Sequence, residues 1–441
     1  MSHPTSPKPT LSRGSWRETS RVSRILERET TSGLLLLGAA VIAMTIANVW
    51  PDFYFGVRDF HLIEWDLLGL KLHLTVGEFA ADGLLAIFFF LVGLELKREF
   101  VAGDLHDPRT AIVPIVAAFG GVAGPAIIYI AINWNDAAAL RGWAVPVATD
   151  IAFAVGVLAV IGSHLPAAMR TFLLTLAVTD DLIGIAIIAI AYATDLHLGF
   201  LGLSLIPMAG FCLLVQFGRQ FIRRYRVLST IVLTILAVIT WALFFNSGIH
   251  ATISGVVLGF LVPVGSNGQG AGLAQSMEDK VRPISAGFAA PVFAFFTAGV
   301  AFGGWEHLQS SLTSTIGLGI IIGLPVGKAI GIFGSTWLVT RLRNANLDPD
   351  IKWIDVFGLA VVGGVGFTVA LLVNQISFEA LHPDYEDIGK VAVITASVLS
   401  ALIGGAILAS RNRHYRDIAS REAVDANLDG IPDVFTDDSD D

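Results

Sequence analysis

Between residues 31 and 410 the chain alternates long apolar runs with short polar interruptions. The runs lie at about 31–50, 79–97, 109–133, 142–161, 171–194, 198–217, 227–245, 247–264, 284–302, 315–340, 353–374 and 388–410. Each is close to the roughly 20 residues that a helix rising about 1.5 Å per residue needs to cross the hydrocarbon of a bilayer. The pattern predicts an all-α polytopic membrane protein with about twelve transmembrane helices. Residues 1–30 break from it. They are polar and basic, with Arg13, Arg17, Arg21, Arg24 and Arg28 spaced as on one face of a helix lying on a membrane surface. Between the first two runs, Asp52 to Thr75 mixes polar residues with Phe55, Val57, Phe60, Leu62 and Trp65, which reads as a short extracellular β-hairpin.

Two runs are interrupted near their middles. Pro146 precedes Val147-Ala148-Thr149-Asp150 in the fourth, and Gly363-Gly364-Val365-Gly366 precedes Phe367-Thr368 in the eleventh. Proline removes a backbone donor and glycine weakens a helix, so both runs predict discontinuous helices, with a simple kink as the plainer reading of either one alone. They are the middle members of the triplets three-four-five and ten-eleven-twelve. Matching interruptions in two halves of a chain predict an inverted repeat with a binding site between them.

Composition narrows the class. Of 441 residues, 54% are hydrophobic and only 15% charged, where soluble domains carry about a quarter charged residues, so a water-soluble enzyme is excluded. A single cysteine, Cys212, excludes an internal disulfide. The net charge of −9 belongs mostly to the tail: from Asp417 onward nine acids stand against Arg421, which accounts for −8 and leaves about −1 for the rest. No secretory signal is evident. Basic residues set the orientation. One side collects the N-terminal arginines, Lys97, Arg98, Arg109, Arg170, the Arg219–Arg226 cluster, Lys280, Arg282, Arg341, Arg343, Lys352, Arg411, Arg413 and Arg416. The other has only Arg58, Lys71, Arg141 and Lys390, which predicts that both termini are cytoplasmic.

Charge inside the runs carries the chemistry. Thr179-Asp180-Asp181 stands in the middle of the fifth run, where each ionised carboxylate costs roughly 2.5–3.5 kcal/mol on insertion scales. Function is the leading reading; a protonated acid bonded to its neighbour as helix glue is the plainer one. Lys328 lies near the middle of the tenth run, where it needs a carboxylate partner or must give up its charge, and Asp150 sits at the break of the fourth. Carboxylates are hard oxygen ligands suited to a small alkali cation, and the same oxygens take protons instead. Competition for one carboxylate pair is a chemical basis for exchange. Broken helices add partial charges, positive N-termini that suit Asp150 and negative C-termini that suit Lys328.

Several segments carry a family resemblance. They are Val145 to Ala154 (VPVATDIAFA), Thr179-Asp180-Asp181-Leu182, Phe89 to Arg98 (FFLVGLELKR), Ser247 to Thr252 (SGIHAT) and Val326-Gly327-Lys328. In order and spacing, from about residue 31 to 411, they resemble the NhaA family of bacterial Na+/H+ antiporters. Inverted repeats with broken helices are a known property of that family, so the resemblance implies them as well. The resemblance implies a membrane antiporter domain over 31–411 and electrogenic exchange of Na+, and Li+, for inward-moving protons by alternating access in the bacterial inner membrane. It implies no prosthetic cofactor, no nucleic acid and a homodimer joined through the extracellular hairpin.

Position by position, it implies that Asp180 and Asp181 bind the cation and protons, with Asp180 the partner of Lys328. Asp150 and Thr149 stand at the crossing of the unwound helices. Glu95 and Glu99 belong to a cytoplasmic access funnel and the pH response, with Asp82 near the ion path and His250 and Glu278 also linked to pH response. Solvated interfacial acids and a capping histidine are the bland alternatives for Glu99 and His250. There is one departure: Met277 to Arg282 (MEDKVR) has Asp279 and Arg282 where known members carry histidines, which predicts a shifted pH profile. The acidic cytoplasmic tail, 412–441, contains Asp425, Asn427, Asp429 and Gly430 at the spacing of the first part of a calcium loop, but Thr436 stands where that loop needs glutamate. Calcium binding there and a solvated disordered tail both remain open. A cation-coupled solute symporter is the alternative function. An intramembrane aspartyl protease is disfavoured, because its two acids stand on separate facing helices.

Overall fold

A computed structural model describes residues 16–422 apart from 68, 107, 163, 194, 195, 266–271, 343–346 and 379–382. The tail residues Asp425, Asn427 and Asp429 lie outside the described residues. Among the described residues, nine helices are long and apolar enough to cross a membrane, and two bent helix pairs bring the number to eleven. The remaining run, 247–264, forms turns followed by a helix of nine residues, Ile253–Leu261, which is too short to cross alone. Apolar side chains face outward on the helices Leu198–Phe217 and Arg226–Phe245, among them Ile206, Leu213, Phe217, Val227 and Ile235. That arrangement is stable when the surroundings are lipid.

In chain order, α1 (Trp16–Val49) joins the basic segment and the first run into one continuous helix. The stretch expected to be wholly hairpin divides. Pro51 at the first helical turn and Asp52 beside it start α2 (Pro51–Arg58), and only β1 (His61–Leu67) and β2 (Leu70–Thr75) pair. Their antiparallel register sets Glu64 opposite His73 and Asp66 opposite Lys71, with Trp65 opposite Leu72 on the other face. Thr75 then caps α3 (Val76–Ala102): its hydroxyl accepts from the Glu78 amide while the Glu78 carboxylate accepts from the Thr75 amide.

Next come α4 (Pro108–Asn133), a 3-10 helix (Ala139–Val147), α5 (Ile151–Ile161) and α6 (Ala167–Ala191), which carries the aspartate pair. The first half of the fourth run is therefore 3-10 rather than α, with Pro146 near its end. Later elements are α7 (Leu198–Phe217), α8 (Arg226–Phe245), α9 (Ile253–Leu261), α10 (Leu273–Ala298) and α11 (Thr315–Leu342), then α12 (Trp353–Val362), α13 (Phe367–Phe378) and α14 (Pro383–Glu422). The bends are 44° between the 3-10 helix and α5 and 48° between α12 and α13.

The interior depends on small residues. Gly120 and Gly124 of α4 face Gly331 and Gly327 of α11 so closely that a Cβ on any of the first three would strike backbone carbonyl oxygen of the opposite helix. Such contact draws α11, and Lys328 with it, into the middle of the fold. The helix α14 outlasts its apolar run by twelve residues. Tyr415 is buried there, and its hydroxyl donates to the Asp355 carboxylate (2.6 Å), which also accepts from Arg411 Nε (2.7 Å).

Candidate functional site

The two broken spans meet at their breaks. The Asp150 amide donates to the Val365 carbonyl (2.6 Å), and the Thr149 hydroxyl to the Gly363 carbonyl (2.7 Å). Asp150 caps both second halves at once: one carboxylate oxygen accepts from the Phe153 amide of α5 (3.0 Å), the other from the Thr368 amide of α13 (3.1 Å). A negative group thus sits between two helix N-termini, where the orphan donors and the dipoles favour it.

On α6, beside this crossing, Asp180 and Asp181 are buried. Lys328, wholly buried, donates from Nζ to Asp180 Oδ2 (2.7 Å). Its partner is thus a carboxylate, rather than the C-terminal end of a half-helix. Asp180, Asp150, Glu95 and Lys328 all act electrostatically on Asp181. Asp180 Oδ1 and Asp181 Oδ1 are buried and make no hydrogen bond, and the Thr368 hydroxyl shares that condition. Buried polar oxygens are nearly always satisfied, and a pair of bare carboxylate oxygens on adjacent residues is chemically able to take a cation or a proton. Among the described residues, no group of three or more His, Cys, Asp and Glu side chains is placed to enclose a metal ion.

The remaining candidate residues separate into two groups at opposite ends of α3. At one end, Arg282 of α10 bonds both Glu95 (2.5 Å) and Glu278 (2.7 Å), and Arg98 bonds Glu278 from the other side (2.6 Å). Glu99, one turn beyond Glu95, lies against Gly103. At the other end, Asp82 stands 3.6 Å from His250, and both line an open cavity of about 710 Å³ with Glu78, Arg141, Tyr192 and Gln375. The Trp241 indole donates to the Asp82 carbonyl (2.9 Å).

Sequence reasoning counts Arg98 and Arg282 among the basic residues of one side, and Arg282 also as a departure from the family pattern, but neither as a partner of Glu95 or Glu278. In the fold both arginines join α3 to α10, at separations of 180 and 187 residues that no local spacing reveals.

Comparison with known proteins decides the family. Residues 23–408 match the family model described as Na+/H+ antiporter 1. The chain belongs to the Na+/H+ antiporter 1 family. Within it, the chain is 52% identical over 440 residues to a protein of Arthrobacter sp. (strain FB24) named Na(+)/H(+) antiporter NhaA, covering 97% of this chain and 94% of that one. It is likewise 52% identical over 432 residues to the protein of that name from Renibacterium salmoninarum, covering 97% of each. A Mycobacterium sp. (strain MCS) relative, Na(+)/H(+) antiporter NhaA 2, is 51% identical over 440 residues, covering 98% of each. This member of the family is a multi-pass bacterial membrane protein.

Proposed function

We propose that this protein is a secondary transporter, not an enzyme, that exchanges Na+, and Li+, for H+ through the Asp180–Asp181 pair. The observation that carries the reading is the pair of bare, buried carboxylate oxygens beside a crossing of two broken helices, in a chain of this family. Either ion species satisfies those oxygens, and the two together do not fit. Lys328 holds Asp180 when no cation is bound, and Asp150 with Thr149 fixes the crossing against which the pair sits.

In this reading Glu95, Glu278, Arg98 and Arg282 guard the cytoplasmic approach, with Glu99 at its rim. Asp82 and His250 flank the outer vestibule. Exchange is electrogenic and proceeds by alternating access in the inner membrane. Both termini are cytoplasmic, and two copies join through the β1–β2 hairpin. The relatives are named antiporters, which gives a solute symporter no support, and exchange of Na+ for H+ needs no resident cofactor.

Everted vesicles with a pH-sensitive dye test the reading. The expected result is that Na+ and Li+ dequench the dye with wild-type protein, while Asp181→Asn gives no response at equal protein in the membrane. Dequenching retained in that variant removes Asp181 from the site, and sodium binding by purified protein without proton release removes the shared-site mechanism.

A further inference from the structure

Directly before Lys328, α11 departs from α geometry. Gly323–Gly327 form a π turn, and the Lys328 amide donates back across it to the carbonyls of Gly323, Leu324 and Pro325. Pro325 supplies a cause, since it has no N–H and its ring crowds the carbonyl four residues earlier. A turn widened by one residue rotates everything after it by about 100° relative to a regular helix. Lys328 is the first residue to feel that rotation, and its ammonium ends on Asp180.

The turn is also wedged between the two broken spans. A Cβ on Gly323 would stand 3.1 Å from Pro146 Cβ, and one on Gly364 would stand 2.5 Å from the Leu324 carbonyl oxygen. A Cβ on Gly366 would meet the Ala148 carbonyl oxygen first and the Leu324 side chain at 2.9 Å. Behind the turn, Gly327 rests on Pro125 of α4. Gly323, Leu324, Pro325 and Gly327 are all buried, so the turn has no slack in which to move independently of the crossing.

We infer that the π turn around Pro325 aims Lys328 at Asp180 and carries displacement of the helix crossing to that ion pair, with Pro325 and Gly364 as positioning residues. When the crossing shifts, the Leu324 carbonyl shifts with Gly364, the turn rotates, and the Lys328–Asp180 bond opens for the incoming cation. The inference rests on the antiporter reading for its transport readout but not for its structural one.

The test uses the full chain in proteoliposomes, with Na+ titrated against a pH dye, and thermal unfolding of the same preparations. Pro325→Ala is expected to change the half-saturating Na+ concentration about tenfold with little change in maximal rate. In unfolding, the loss caused by Lys328→Gln is expected to shrink by about half or more in the Pro325→Ala background, because the two residues act through one bond. If Pro325→Ala does not accumulate in membranes, Gly364→Ala is read in the same way. Half-saturation within about twofold of wild type, or additive unfolding losses, overturns the inference. Failure of wild-type protein to exchange Na+ for H+ sinks the antiporter reading instead, and the unfolding cycle still decides where Lys328 is aimed.

Discussion

Asp180 and Lys328 are each tolerable in the interior only because of the other. Removing the lysine alone leaves an unpaired carboxylate in a buried position, a loss of about 3–5 kcal/mol in comparable sites. Lys328→Ala should therefore lower the unfolding temperature sharply, and Lys328→Ala with Asp180→Asn should recover most of it; equal temperatures for the single and double variants would contradict the pairing. A quieter case is Tyr54, whose hydroxyl donates to the Phe295 carbonyl at 2.6 Å. Burial pushes its phenol above the ordinary tyrosine value, with Arg58 partly opposing. The folded chain thus keeps a proton that the unfolded chain loses, so this contribution is constant below the ordinary value of about 10 and falls above it. Tyr54→Phe should lose about 1 kcal/mol at neutral pH and flatten the alkaline decline of thermal stability. At this scale the sequence was legible wherever an ionisable group interrupted an apolar run, as with Asp180, Asp181 and Lys328. Arg282 was not, because its value depends on Glu95 and Glu278, which only folding brings to it.

Among the elements, the two broken spans were visible in Pro146 and Gly363–Gly366, since residues that break helices declare themselves. The widened turn at Pro325 carries the same kind of signal, but the long apolar run around it masks the break. Helix α2 was hidden differently: a β-like mixture of polar and apolar residues at 52–58 was overridden by Pro51 and by the packing of Tyr54 against Phe295. The contact between α3 and α10 invites its own experiment. Arg282 is a fixed cation on Glu95 and Glu278, so Arg282→His replaces it with one that titrates near pH 6.5. Exchange by that variant should match wild type under acidic conditions and diverge from it as pH rises through that value, measured as dye response against pH. A pH profile superimposed on wild type would show that these contacts do not govern the approach.

For the whole molecule, the orientation read from its arginines and lysines leads to a labelling experiment. With Cys212→Ser removing the native thiol, Trp65→Cys on the exposed hairpin should react with a membrane-impermeant maleimide from outside intact cells, whereas Ser439→Cys should react only after the membrane is opened. The reverse result would invert the topology. Architecture was legible from run lengths alone, while the half-length α9 was not, because a short helix set into the fold by its turns has the same composition as a full span. The last helix is continuous over the 40 residues Pro383–Glu422 and is tied near its far end to α12 through Asp355, Arg411 and Tyr415. Since α12 ends at Val362, directly before the Gly363 carbonyl that holds Thr149, a helix of only ten residues joins the anchor on the last helix to the crossing of the broken spans, and strain at either end is felt at the other.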